Sequence, residues 1–224
     1  MLSYYILIKN KKGAIMFQIN NISKNYGKKQ ILNNISLEAS AGDAIGILGI
    51  NGSGKSTLLT CIASYFANDT SVNTGYVPQE NPLFDELKPV DNIKMWTKLS
   101  KKQIMDKLNN PPLLDMGIID FLDTPVKKMS GGMKKRLSLA TVLINEPTLL
   151  LLDEPFAALD LPAKQDILSY MASFRANQGT IIIASHDEDV FNFCNKVYLL
   201  KNKELIDTDE LHSKGISYAD ILRS

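Results

Sequence analysis

The sequence predicts an α/β fold, a parallel sheet with helices on both faces. Short, wholly apolar runs alternate with longer stretches of helical periodicity, the pattern of strands buried on two sides. The chain has 224 residues, which suits a single α/β domain with a sizeable core. A glycine-rich turn joins one of the apolar runs directly to the start of a helix, as a βα unit requires.

The elements follow in order. Phe17, Ile19 and Ile22 lead to Tyr26-Gly27, and Ile31 to Glu38 reads as a strand. Gly42-Asp43 is a turn, and Ala44 to Leu48 is a glycine-bounded apolar run, hence a buried strand. Lys55 to Phe66 is helical, and Asn68 to Thr74 is a polar loop. Pro82 to Leu122 carries helical patterns broken by Pro89 and by Pro111-Pro112. Ser130 caps a further helix that runs to about Asn145 and ends at Glu146-Pro147. Leu149 to Leu152 are helix formers by propensity. The run is nevertheless short, follows a proline and ends in acidic residues and another proline, so it reads as a strand. Pro162 to Ala176 is helical, Thr180 to Ala184 is another buried strand, and Val197 to Leu200 with Glu204 to Ile206 forms a closing hairpin. No repeat or low-complexity segment interrupts the series.

Composition narrows the function. Lys+Arg is 25 and Asp+Glu is 24, a net charge of +1, which gives no reason to expect nucleic acid as a partner. No apolar run approaches the roughly 20 residues of a membrane-spanning helix. Cys61 and Cys194 lie far apart and form no CxxC pair, so they read as reduced, buried thiols of a cytosolic protein. At the N-terminus an apolar patch, Tyr4 to Ile8, precedes the basic Lys9 to Lys12, the reverse of an export signal. Met16 is an alternative start, since Lys12 to Ile15 can be encoded by a purine-rich ribosome-binding sequence just ahead of its codon.

Gly49-Ile50-Asn51-Gly52-Ser53-Gly54-Lys55-Ser56-Thr57 matches G-x-x-x-x-G-K-[ST] in the right context, strand before and helix after. Glycines let backbone N–H groups turn inward around phosphate oxygens, and the helix N-terminus adds partial positive charge. Lys55 reaches the outer phosphates of a nucleotide, and the Ser56 hydroxyl can take one position on Mg²⁺. Asp153-Glu154 ends the leucine strand at its carboxyl end, where ligands sit in parallel α/β sheets. Buried adjacent carboxylates need a cation or a catalytic use; the competing reading is a solvated helix cap. In the functional reading Asp153 holds the metal and Glu154 takes a proton from, or orients, an attacking water.

Met129-Ser130-Gly131-Gly132-Met133 resembles the LSGGQ signature of the ATP-binding cassette (ABC) ATPases, and it lies upstream of the acidic pair as that family requires. The other family elements appear in order. Tyr26 is similar to the aromatic residue that stacks on adenine, although a plain loop aromatic is the alternative. Gln79 in Tyr76-Val77-Pro78-Gln79 resembles the Q-loop, Ala158-Leu159-Asp160 the D-loop, and His186 in Ala184-Ser185-His186-Asp187 the switch histidine. The resemblance covers Phe17 to about Ile206. It implies a P-loop NTPase sheet with a small antiparallel β-subdomain and an inserted α-helical subdomain.

The resemblance also implies the site and its partners. Two cassettes would sandwich two ATPs head to tail, each ATP lying between the phosphate loop of one subunit and the signature of the other. Asn51, Gly52, Ser53, Gly54, Lys55, Ser56, Thr57, Tyr26, Gln79, Ser130, Gly131, Gly132 and Asp160 would contact nucleotide or link the sites. Ser56, Gln79 and Asp153 would serve Mg²⁺; Glu154 and His186 would be catalytic. A separate transmembrane permease and a second cassette, identical or paralogous, are the implied partners, with the chain on the inner face of the cell membrane. The SGGM core followed by Lys134-Lys135-Arg136 is similar to ABC-2-type exporter subunits, which tilts the reading towards export. A non-transport ABC ATPase is the alternative, and a nucleotide-gated clamp without turnover is a third.

The expected organisation is an N-terminal extension over 1–15 and one ATPase domain over 16–224. Its core spans 16–78 and 129–200, its helical subdomain 79–128 and its tail 201–224. The short stretch from Phe66 to Gly75 implies a trimmed β-subdomain. Trp96, with Ile93 and Leu99 at helical spacing, reads as core, although by resemblance the segment from Phe84 to Trp96 would face the membrane partner. Lys134-Lys135-Arg136 reads as a solvated helix face and His212 as a surface residue.

Overall fold

A computed structural model describes residues 6–9, 15–67, 72–157, 159–186, 188–209 and 220. Ala158, Asp187, His212 and most of the tail after Asp209 lie outside them, as do residues 1–5 and 10–14 and part of the polar loop after Phe66.

The first three strands are β1 (Ile6–Lys9), β2 (Ile15–Tyr26) and β3 (Lys29–Ser40), and they form an antiparallel sheet. β1 comes from the segment set apart as an N-terminal extension and pairs with the start of β2. Along β3 buried and exposed positions alternate from Ile35 to Ala39, the period of a strand with one covered face.

The second sheet holds β4 (Ala44–Leu48), β5 (Thr74–Val77), β6 (Leu149–Asp153), β7 (Thr180–Ser185), β8 (Lys196–Lys201) and β9 (Glu204–Asp207), in the order β5-β6-β7-β4-β8-β9. All neighbours are parallel except the closing β8–β9 hairpin. Every residue of β4, β6 and β7 is buried.

The leucine run shows why. Leu149 and Leu151 pack on one face of the sheet with Leu58, Ile62 and Phe66 of α1 (Lys55–Phe66) and with β2 and β3. Leu150 and Leu152 pack on the other face with α4 (Gly131–Leu143), α5 (Leu161–Ala176) and the helical segment between. Two covered faces leave no polar position in the strand, so periodicity 2 is invisible in its sequence.

Between β5 and α4 lie α2 (Pro89–Met95), α3 (Lys101–Leu108) and three short 3₁₀ turns. Pro89 does not break a helix, as its position in the sequence suggested; it begins one, at the first turn where a missing N–H costs nothing. Phe84 accordingly lies in a loop. Ser100 and Gln103 form a capping box that starts α3. The order ends with α6 (Glu188–Phe193), which the sequence had not signalled, and β8–β9. Three strands adjacent in space, β6, β7 and β4, release their carboxyl ends side by side, and the expected site residues follow each of them.

Candidate functional site

Gly54 caps α1 with φ 110°, a left-handed value that a side chain rarely adopts, and a Cβ there would come within 2.9 Å of Ile31 in β3. Glycine is therefore demanded twice, by torsion and by the close approach of the Ile31 and Leu32 side chains of β3. The turn it completes places Asn51, Gly52, Gly54, Lys55, Ser56 and Thr57 along one cleft of about 340 Å³, together with Tyr26, Ile31, Gln79, Asp153 and Glu154. Residues distant in sequence thus meet as the phosphate-loop reading requires. Tyr26 is 57% exposed at the rim, with the Lys24 ammonium over its ring, 5.4 Å from the centroid. Ser53 is not among the lining residues; its buried hydroxyl sits against Gly49.

Lys55 is almost fully buried. Its ammonium donates to the carbonyls of Gly49 at 2.7 Å and Ile50 at 3.4 Å, and lies 3.6 Å from Glu154 Oε1. Glu154 Oε1 also meets His186 Nδ1 at 2.9 Å, and Oε2 accepts from the Ser185 hydroxyl at 3.0 Å. Glu154 itself holds φ 45°, a backbone state that costs on the order of 1 kcal/mol for a non-glycine residue. Strain of this kind at a buried carboxylate marks a position fixed by its surroundings. Ser185 was missed in the sequence; its place at the end of an apolar strand next to His186 was the available signal.

Asp153 is buried, and its Oδ1 has no hydrogen-bond partner among the described residues. Burial pushes its carboxyl above the ordinary carboxylate range and Glu154 adds to that push, while the Ser56 hydroxyl and the ammoniums of Lys55 and Lys135 pull the other way. An orphaned buried carboxylate oxygen beside a serine hydroxyl and Gln79 is a donor set of hard oxygens, and it fits Mg²⁺ with water and phosphate completing the shell.

Ser130, Gly131, Gly132 and Asp160 do not line this cleft. They lie together elsewhere: Ser130 caps α4 and accepts from the Met133 N–H at 3.3 Å, Asp160 caps α5 and accepts from the Ala163 N–H at 3.0 Å, and Gly132 faces Ala163. Ser130, Gly131 and Asp160 are exposed. Asp160 has a sufficient structural reason for its identity, the helix cap.

Two expectations are corrected. Lys135 is not on a solvated face; it is 3% exposed, and its ammonium donates to the Pro78 carbonyl at 3.3 Å. Burial lowers its pKa to about 8, opposed by the charges of Asp153 and Glu154. The spacing of Lys135, Leu139 and Leu143, all buried on α4, was the sequence signal that the charge masked. Trp96 is not core; it is 47% exposed, and with Tyr76, Pro82 and Val142 it lines a groove of about 180 Å³. Cys61 and Cys194 are free and half-buried. A larger cavity, of about 620 Å³, lies at the amino ends of β6 and β7 and holds none of the expected site residues.

Among the described residues no helix is long and apolar enough to cross a membrane.

Comparison with known proteins adds to this geometry. The family profile described as ABC transporter matches residues 32–157. The chain is 35% identical over 188 residues to the lantibiotic transport ATP-binding protein SrtF of Streptococcus pyogenes, covering 76% of this chain and 80% of that one. It is 30% identical over 217 residues to the Nod factor export ATP-binding protein I of Sinorhizobium fredii, covering 87% and 63%. It is 33% identical over 193 residues to the spermidine/putrescine import ATP-binding protein PotA of Bacteroides fragilis, covering 78% and 42%. A solved ATP-binding subunit of an ABC transporter superposes with a TM-score of 0.76 at 21% identity, over 89% of this chain and 92% of that one, which shows the same fold. Motif order, a cleft that gathers phosphate loop and acidic pair, and these relatives agree: the chain belongs to the ABC transporter family, as an ATP-binding and ATP-hydrolysing subunit.

Proposed function

We propose that this chain powers an exporter, pairing head to tail with a second cassette around two ATPs and driving a separate membrane-spanning permease from the inner face of the cell membrane. One observation carries the dimer. The cleft with the phosphate loop lacks the signature, while Ser130, Gly131 and Asp160 stand exposed on a different surface. Each half is chemically incomplete. The free N-terminus of α4 offers amide donors and a positive dipole end to an anion that its own chain does not supply. Ile50 and Leu161, 62% and 68% exposed beside the two halves, give such a pairing apolar contact.

The chemistry then follows from the side chains. ATP phosphates would displace the Gly49 carbonyl and Glu154 as partners of Lys55, which frees the Glu154 carboxylate. A water held by Glu154 and His186 attacks the γ-phosphorus. The new O–P bond forms as the bond to the β-phosphate oxygen breaks, and the water's proton passes to Glu154. Ser56, Asp153 and Gln79 would hold Mg²⁺, which would supply charge neutralisation on the phosphates. Tyr26 stacks on adenine. Loss of the γ-phosphate removes the contact that holds the two cassettes shut.

Export is supported by the SGGM-Lys-Lys-Arg signature and by the export relative; the import relative at similar identity places the weight on the signature. The permease would seat in the groove at Trp96, flanked by the exposed Phe84 and Met95. Complementation tests the pairing. Lys55→Ala disables the phosphate loop, and Gly131→Asp puts an anion where a γ-phosphate should dock, at a helix start that tolerates acid. Each variant alone should lose ATP hydrolysis at least a hundredfold. Mixed, they form one intact composite site and should recover a measurable fraction of the wild-type rate. No recovery in mixtures of folded chains, with the Gly131→Asp chain still binding ATP, would remove the head-to-tail arrangement.

A further inference from the structure

The geometry points to Lys135 as a positioning residue: its hydrogen bond to the Pro78 carbonyl is a strut that ties the signature helix α4 to the loop carrying Gln79. The inference rests on the reading of this cleft as an ATP–Mg²⁺ site.

A lysine 3% exposed inside a core is expensive, because the ammonium gives up its water. A methionine of similar length would fill the same space at no such cost. Lys135 keeps its charge against burial, with a pKa lowered to about 8, helped by the carboxylates of Asp153 and Glu154. Of its partners, Pro78 O at 3.3 Å is the directional one. Pro78 has no N–H to anchor it, and the next residue, Gln79, is exposed at the cleft mouth. Strand β5 ends at Val77, so the sheet no longer holds the chain at Pro78. The Lys135 ammonium reaches that carbonyl just where sheet pairing stops.

The other end of the strut matters equally. Lys135 lies five positions beyond Ser130 on the helix that Ser130 caps, and Arg136 beside it contacts the Met116 carbonyl at 3.4 Å. A displacement of the Gln79 loop is thereby passed to a rigid helix whose first turn is the signature. Lys135 touches no reacting atom in this scheme. It sets where Gln79 stands relative to Asp153, and hence how well the metal-bound nucleotide is held.

The test measures affinity for a fluorescent ADP analogue with Mg²⁺ and with EDTA, in wild type, Lys135→Met, Lys135→Gln and Lys135→Arg, beside each variant's Tm. Methionine keeps the volume and removes the donor; glutamine and arginine keep a donor. The expected result is a wild-type ratio of the two affinities well above one, a ratio about tenfold lower in the methionine variant, and recovery in the glutamine and arginine variants. Affinity in EDTA should be unchanged throughout. A residue that serves packing alone would move Tm and leave the ratio alone. If the methionine variant fails to fold, Lys135→Ala, which leaves room for water, is read on the same scale. A methionine or alanine variant with the wild-type ratio, or a glutamine variant as low as methionine, overturns the strut. A wild type with no magnesium effect overturns the metal reading itself and the strut with it.

Discussion

Asp43, at the turn into β4, gathers three donors: the Ser40 N–H at 2.8 Å and the Lys196 ammonium at 2.9 Å on Oδ2, and the Asn195 amide at 2.9 Å on Oδ1. Burial raises its pKa, but the hydrogen bonds from Lys196, Ser40 and Asn195 outweigh it, and the carboxyl ends below its ordinary value. A depressed folded pKa gives stability that is present above the unfolded value, near 3.9, and is lost as pH falls through the folded one. Asp43→Asn should therefore lower stability by about 1–2 kcal/mol at pH 7. The gap to wild type should narrow as pH drops below about 4, in thermal melts recorded across that range. Unlike Asp43, Lys135 shows where residue-level reading stops. Charge type assigns a lysine to solvent, and only the contact across to Pro78 reveals why this one is inside. Trp96 fails in the opposite sense: helical spacing with Ile93 assigned it to the core, yet α2 ends at Met95 and turns its indole outward.

Among the elements, legibility followed length and burial. The runs at β4 and β6 are wholly apolar and bounded by glycine or proline, so they were plain in the sequence. β5 was not: it spans four residues, contains Gly75, and follows a polar stretch that suggested continuing loop. Its glycine has a packing reason. A Cβ on Gly75 would lie 2.4 Å from Val142 and 3.1 Å from Pro147, so α4 and the turn after it press directly on this strand. Gly75→Ala should cost about 1–3 kcal/mol through overpacking, read as a lower midpoint in urea with an unchanged slope. The cap of α4 has a smaller, separable effect. Ser130→Ala should lose roughly 1 kcal/mol of stability, measured by the same titration, because the Met133 N–H loses its acceptor.

At the scale of the whole molecule, sequence order alone located the phosphate loop, the acidic pair and the signature, and the cleft brings the first two together. The separation of the third came only through the family resemblance, since spacing along a chain does not say which surface a helix start will face. Under the proposed pairing, that separation would make the single chain half of two sites. The groove at Trp96 is where the proposed permease would seat. Pull-down of tagged protein from detergent-solubilised native membranes should recover a multi-spanning membrane protein, and Trp96→Ala should reduce that recovery several-fold without changing nucleotide affinity. The central claim, that ATP closes two of these chains on each other, is met most directly by light scattering on Glu154→Gln. This variant keeps Lys55 and the signature but has no carboxylate to accept the water's proton. With ATP its mass should double, and adding Gly131→Asp to the same chain should return it to one chain. A Glu154→Gln protein that is saturated with ATP and still has the mass of a single chain would contradict the account.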